Sequence, residues 1–567
     1  MSPQDSGDRG TGGGSRGGNQ GGGDQGGGSR GGQGRGGQRD GQHGGGQRGS
    51  GQRGSGQRSG NPRGGGQSRG SGQSRGGAQS RGQRDRAPRT RISGARIVAY
   101  DVLRDVVDRD AYANLALASR IRNARLDSRD AGLATELAAG TLRGLGRIDR
   151  IIELAAGRPV ADIDPVALNV LRLGAHQLLS MRTAAHAAVH ESVELQRRVG
   201  NERAAGFVNG VLREIGRATP EEWDARIVAE AATPDDALAA RASHPAWVLR
   251  ALRDALRAEG REAEIEALLD TNNASPRVNL ALLEGAGITG EELAAVEPDL
   301  FEAIGVSAIG MELVGGDPAR AMATAEEQAG VPAGLLRVQD QGSQLAALAL
   351  VRATPVGEGE RWLDLCAGPG GKTAILGAEA LIVGATVRAN EVSEHRADLV
   401  RDSVSGVDAL PGEAVEVVSH DGREEEAFGC GPGEHELYDR ILVDAPCSGL
   451  GALRRRPEAR WRKQPSDLPE LTALQSELID AAVAHLKPGG VLAYVTCSPH
   501  LAETRVGVDR ALKRHPELRE LDAKAAVRAA SREDEQPELA GEQLSAQLWP
   551  HRHGTDAMFV SLLTREG

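Results

Sequence analysis

The sequence predicts a multidomain chain that ends in an α/β domain, on three observations. From Leu336 onward, short apolar runs alternate with helix-permissive stretches, the pattern of a parallel sheet with helices on both faces. Residues 92–217 carry apolar side chains at helical spacing, which predicts an all-α domain. Residues 1–91 are almost entirely Gly, Arg, Gln, Ser and Asp. Such a segment buries too little apolar surface to offset its ordering entropy, so a disordered Gly/Arg/Gln-rich tail is expected. A mixed stretch, 218–335, links the two domains as a small α+β connector.

Charge divides along the same boundary. Residues 1–90 hold 15 Arg and 5 Asp, a net of +10, whereas the whole chain of 567 residues is −11, so the remainder carries −21. A basic arm on an acidic body suits a weak, salt-sensitive attachment to a polyanion such as RNA. A solubilising tail is the plainer account. The four cysteines, Cys366, Cys430, Cys447 and Cys497, form no CxxC pair, and no metal site is expected. Few cysteines and no secretory signal fit a reducing cytoplasm. No apolar run reaches the roughly 18 residues that a membrane span needs. Composition says nothing about oligomeric state.

In the helical region, Ile97, Val98, Tyr100, Val102, Leu103, Val106 and Val107 recur at helical spacing. Leu133, Leu137, Leu142 and Leu145 continue the pattern, as do the runs 166–179, 188–199 and 207–215. About five or more helices are expected, with core packing as the ordinary role of these stripes. Arg91, Arg96, Arg143, Arg147, Arg150, Arg197, Arg198 and Arg203 are candidates for an RNA-facing surface or a solvated face. The connector predicts a helical stretch from His244 to about Leu269, a turn into a strand over 272–282 and another strand over 310–314. The last domain predicts strands at 362–366, 386–391, 414–419, 440–445 and 491–497. A helix over 469–486 and a terminal hairpin near 547–549 and 558–563 complete it. Ligands of such a Rossmann-like sheet sit at the carboxyl ends of its strands.

The loop Cys366-Ala367-Gly368-Pro369-Gly370-Gly371-Lys372-Thr373 follows the first of these strands. It nearly matches the phosphate loop G-x-x-x-x-G-K-[ST], but Cys366 stands where the first glycine belongs and Pro369 removes a donor. A methyl-donor pocket fits better. S-adenosylmethionine needs backbone donors for its carboxylate and side-chain acids for its hydroxyls and amines. Glu391, Asp421 and Asp444 end three successive strands, although each alone could be a solvated turn residue. Cys447, just past Asp444, and Cys497 lie on loops that follow apolar strands adjacent in the expected sheet order, near these acids. A buried cysteine is ordinarily a small hydrophobe, but a pair so placed argues for reactivity. A thiolate can add to C6 of a pyrimidine and make C5 nucleophilic toward a methyl donor. Arg454, Arg455, Arg456, Arg460, Trp461 and Arg462 come next, a composition suited to an RNA backbone and a splayed base.

Two resemblances follow from these residues. Residues 96–103, 187–195 and 205–213 (Ala-Gly-Phe-Val-Asn-Gly-Val-Leu-Arg) resemble the NusB-type RNA-binding domain, an all-helical module. Loop 366–373, Asp444-Ala445-Pro446-Cys447-Ser448-Gly449 and Thr496-Cys497-Ser498-Pro499, with Glu503 after them, resemble the bacterial rRNA cytosine-5 methyltransferases of the RsmB (Sun/Fmu) type. That resemblance covers residues from about 92 to the carboxyl terminus and implies a class I methyltransferase domain over 336–567. It implies Cys497 as nucleophile and Cys447 in product release, with Asp444 on the cytosine edge and Lys372 near the base. It also implies that residues 366–372, Glu391, Asp421 and Asp444 bind S-adenosylmethionine, and that the substrate is small-subunit rRNA. The alternatives are a tRNA methylase and a non-catalytic RNA-binding or antitermination factor.

Overall fold

The computed structural model describes residues 92–412, 414–429 and 436–567. The expected tail 1–91 and Cys430 lie outside the described residues. Helices come first: α1 (Gly94–Asp108), α2 (Ala113–Ala124), α3 (Ser128–Arg143), α4 (Leu145–Ala156), α5 (Pro165–Leu179), α6 (Ala185–Val199) and α7 (Glu202–Ile215). Side-chain caps define several starts. Asp127 accepts from Asp130 N, Asp164 from Ala167 N and Asn201 from Ala204 N, each satisfying an otherwise orphaned N–H. The apolar stripes turn inward, so Val98, Val102, Leu137, Ile151, Leu171, Val208 and Leu212 form one buried cluster. At Gly174 an added Cβ would meet Leu212 at 2.7 Å and Ser192 at 2.8 Å. Only glycine lets α5 approach α6 and α7 this closely. Trp223 and Ile227, from α8 (Pro220–Glu230), join the same core, so it extends past residue 217.

The connector continues with α9 (Pro234–Arg241), α10 (Ala246–Ala258) and α11 (Ile265–Asn273). Strands β1 (Val278–Leu282), β2 (Phe301–Glu302), β3 (Gly310–Leu313) and β4 (Leu336–Val338) form an antiparallel sheet in the order β2-β3-β1-β4. Helices α12 (Gly290–Val296) and α13 (Pro318–Ala329) accompany them. Leu280, Met311 and Leu335 share one buried cluster with Leu348, Trp362 and Ile375 beyond residue 336.

The large sheet contains β5 (Arg361–Asp364), β6 (Thr386–Asn390), β7 (Val415–Val418), β8 (Tyr438–Asp444), β9 (Leu486–Thr496), β10 (Leu518–Leu521), β11 (Ala546–Gln547) and β12 (Phe559–Arg565). Helices α14 (Gln341–Arg352), α15 (Gly371–Val383), α16 (Glu394–Asp408), α17 (Ala459–Arg462) and α18 (Leu468–Ala484) are interleaved with the parallel strands. The order is β7-β6-β5-β8-β9-β12-β10. Strands β5 to β9 are parallel, and β12 runs antiparallel to β9. The expected terminal hairpin exists, with Ala546 opposite Val560, but its second strand is also inserted between β9 and β10. The purely parallel sheet is therefore mixed at one edge. Strand β10, Leu-Arg-Glu-Leu, is too short for periodicity to reveal. Chain order reverses at β5, whose neighbours are β6 and β8, and this opens a crevice at the carboxyl edge. Among the described residues no helix is long and apolar enough to cross a membrane.

Candidate active site

The loop after β5 is shaped by what its glycines leave out. At Gly368 an added Cβ would meet Glu391 Oε2 at 2.2 Å, and with no side chain there its N–H donates to that oxygen at 3.0 Å. Gly370 takes φ +97° and caps α15, and an added Cβ would meet Ser403 Cβ at 2.5 Å. The left-handed turn and the close approach both require glycine. The first N–H groups of α15 are thus presented at the carboxyl edge of the sheet. Glu391, buried after β6, also accepts from Ser393 N and pairs with Arg396 at 3.2 Å. Asn390 joins the neighbouring strand ends by donating to Leu365 O and His420 O. Asp421, three residues beyond β7, is held by Arg423, whose guanidinium depresses its pKa.

Asp444 is the last residue of β8, and Lys372 Nζ donates to its Oδ2 at 2.7 Å. Burial would lower the ammonium, but the Asp444 carboxylate outweighs it and Lys372 stays charged above its ordinary range. Among the described residues Asp444 Oδ1 has no hydrogen bond, and the side chain is 26% exposed, so one oxygen faces the crevice. Beneath the loop lies Asp364, which accepts from Thr373 Oγ1 at 2.7 Å. Burial raises it to about 7. Sequence reasoning passed over Asp364, although an acid closing an apolar strand was a visible signal.

The loops after β8 and β9 bring two thiols together. Cys447 Sγ and Cys497 Sγ are 3.4 Å apart. The contact is asymmetric: the Cys447 hydrogen bond lowers Cys497, whereas Cys447 is raised by the same contact and by burial. Lys372 also favours the Cys497 thiolate. Backbone bonds fix this geometry. Gly451 N donates to Cys497 O and Ala557 N to Gly451 O, both at 2.9 Å. A Cβ at Gly451 would meet Ala557 O at 2.2 Å.

The arginines after Cys447 require a correction. Arg460 is fully buried and donates to Ser243 O, Asn273 Oδ1 and Asn272 O, so it holds the connector and faces no solvent. Arg454 is buried as well and donates to Gly554 O at 2.6 Å. Arg455 grips Asp556, whose N–H in turn donates to Asp340, the cap of α14. Burial, with Asp556 beside it, raises Asp340. Trp461 rests on α4, where a Cβ at Gly146 would meet its ring at 2.4 Å. Arg462 donates to Val106 O and Ala111 O of the helical region. Arg455 and Arg456 both keep exposed surface, and Arg456 lies 4.9 Å over the half-exposed Tyr112 ring. The segment is mainly a buried joint between units, because the chain must cross from the thiol loop to α18 through that junction. The helical arginines are likewise engaged: Arg147 with Asp224, Arg150 with Glu153 and Glu230, and Arg96 with Gln177.

A family model described as 16S rRNA methyltransferase RsmB/F matches residues 353–564, and one for the NusB family matches residues 93–217. Rv1407 of Mycobacterium tuberculosis (strain H37Rv), which is named only as a methyltransferase, is 46% identical over 486 residues, 85% of this chain and 99% of that protein. Ribosomal RNA small subunit methyltransferase B of Serratia proteamaculans is 32% identical over 438 residues, 75% of this chain and 91% of that protein. Its Escherichia coli (strain 536) counterpart is 33% identical over 403 residues, 69% and 83% of the two chains. Among solved structures, that of PH0851 superposes with a TM-score of 0.65 over 83% of this chain and 98% of its own, at 21% identity.

Proposed function

The chain belongs to the 16S rRNA methyltransferase RsmB/F family, and from that premise we propose that it methylates C5 of a cytosine in RNA, with small-subunit rRNA as substrate, through a covalent cysteine adduct. The observation that carries the reading is the pair of thiols 3.4 Å apart beside the Lys372–Asp444 ion pair. S-adenosylmethionine, when bound, supplies the methyl group. Residues 366–372, Glu391 and Asp421 fit it: a loop whose glycines leave no room for side chains faces acids at the neighbouring strand ends.

In this mechanism Cys497 adds as thiolate to C6 of the base. The free oxygen of Asp444 hydrogen-bonds the N3/N4 edge and balances charge in the adduct, and Lys372 keeps Asp444 oriented. Once C5 carries the methyl group, its proton must leave for the C6–S bond to break and Cys497 to go free; Cys447 stands 3.4 Å from Cys497, where it assists that elimination. The base must leave any helix to reach the thiols. The helical domain then holds the RNA.

The test is a trapping assay with the full chain, RNA and S-adenosylmethionine. Cys447→Ala should accumulate a covalent protein–RNA adduct and Cys497→Ala none; the reverse pattern would exchange their roles. Bisulfite sequencing of rRNA from cells lacking the protein should show one 5-methylcytosine lost, and an unchanged pattern rejects rRNA as the substrate.

A further inference from the structure

Behind the thiols lies a buried acid that the mechanism above leaves unused. Glu503 is fully buried, six residues after Cys497. Its Oε1 accepts from Ser448 N at 2.7 Å and from Gln475 Nε2 at 3.3 Å. Its Oε2 accepts from Ser448 Oγ at 2.5 Å and from Ser498 Oγ at 2.7 Å. The two serine hydroxyls are themselves 3.0 Å apart. Glu503 is anchored from behind, since Tyr494 Oη donates to its carbonyl at 2.7 Å. Gln475 also donates to Pro446 O, on the other side of Cys447.

The placement is specific. Ser448 directly follows Cys447, and Ser498 directly follows Cys497. One carboxylate therefore grips the two loops at the residues next to the two sulfurs. A buried carboxylate without donors would be costly; here four donors reach it, and three of them come from the two thiol loops, two from Ser448 and one from Ser498. Packing alone would need no such convergence, because an apolar side chain of equal size would fill the space.

We propose that Glu503 is a positioning residue that ties the loop after β8 to the loop after β9 and so holds the two sulfurs within reach of one base. The inference rests on the reading that both thiols act on the same nucleotide, but its geometry can be measured without RNA.

Diamide oxidises two neighbouring thiols to a disulfide while its N=N bond is reduced to the hydrazine, which takes up both thiol protons. Applied to the full chain, it should join Cys447 to Cys497, detected by alkylation and peptide mass analysis, with Cys366 as internal reference. Glu503→Ala should slow that cross-link at least about tenfold, because about an ångström of misplacement can cost two orders of magnitude in such proximity effects. Glu503→Gln should restore it to near the native rate: its oxygen can still accept from Ser448 N, and its amide can donate to the hydroxyls. In the RNA assay Glu503→Ala should lower kcat and leave KM little changed. Should Glu503→Ala fail to fold, Ser448→Ala, which removes one clamp bond, carries the same test in milder form. Equal cross-linking rates in Glu503→Ala (or Ser448→Ala) and the native chain overturn the proposal. A slowed cross-link with no methylation by the native chain leaves the clamp standing and rejects the assigned activity.

Discussion

Asp364 shows how a single residue links burial to pH. Its carboxyl is fully buried, and burial lifts its pKa to about 7 from the 3.8 of an unperturbed aspartate. Between those values the folded chain holds a proton that the unfolded chain releases. The resulting stabilisation is complete below about pH 4 and is lost as the pH rises through about 7. Asp364→Asn keeps an acceptor for Thr373 and cannot titrate. Over pH 4 to 7 the melting temperature of the native chain should therefore fall relative to this variant; parallel curves would contradict the assignment. At the same scale Cys447 and Cys497 are chemically identical residues with opposite shifts. The difference comes from their shared contact and from the charges nearby, Lys372 favouring the Cys497 thiolate and Glu503 disfavouring that of Cys447.

At the level of elements, the segment from Arg454 to Arg462 changed character once it was folded. Its arginines and tryptophan suggested a surface for RNA. In the fold, Arg460 and Trp461 are joint residues between the segment after Cys447, the connector and α4. Gly146→Ala should push a methyl into the Trp461 ring and cost about 1–3 kcal/mol in thermal unfolding. Arg460→Ala should cost about 3 kcal/mol or more, because it leaves buried acceptors unpaired. It should nevertheless leave the slope of RNA affinity against salt unchanged. Arg456→Ala should do the reverse, with normal melting and a slope reduced by about one phosphate contact. Equal slopes for Arg456→Ala and the native chain would remove that residue from the interface.

Across the whole molecule, charge and architecture divide the labour. The arm of net +10 precedes a body of −21. Deleting residues 1–90 should weaken non-specific RNA binding at low salt by an order of magnitude or more, with the difference vanishing as salt is raised. A deletion that weakens binding equally at every salt concentration would mean that the arm contributes something other than charge. Within the body, the helical unit docks on the residues just beyond Cys447: Glu458 accepts from Ala113 N, and Arg462 donates to Val106 O and Ala111 O. The NusB-family region is thus tied mechanically to the segment that follows Cys447.

Much of this was legible in the chain alone. Helical spacing marked the all-α region, and strand–helix alternation marked the α/β domain, because both record local periodicity. The loop 366–373 and the two Cys-bearing strand ends were legible because their glycines, prolines and thiols have few structural uses. Three features were decided only by the tertiary fold. Strand β12 runs antiparallel between β9 and β10, a pairing set by partners far away in sequence. The buried roles of Arg454 and Arg460, and the seat of Trp461 on α4, depend on which surface arrives opposite them. The meeting of Glu503 with both serines, and of sulfur with sulfur, depends on the adjacency of β8 and β9. Composition can name the groups that a site needs, but distance between them is a property of strand order and packing, which no local pattern encodes.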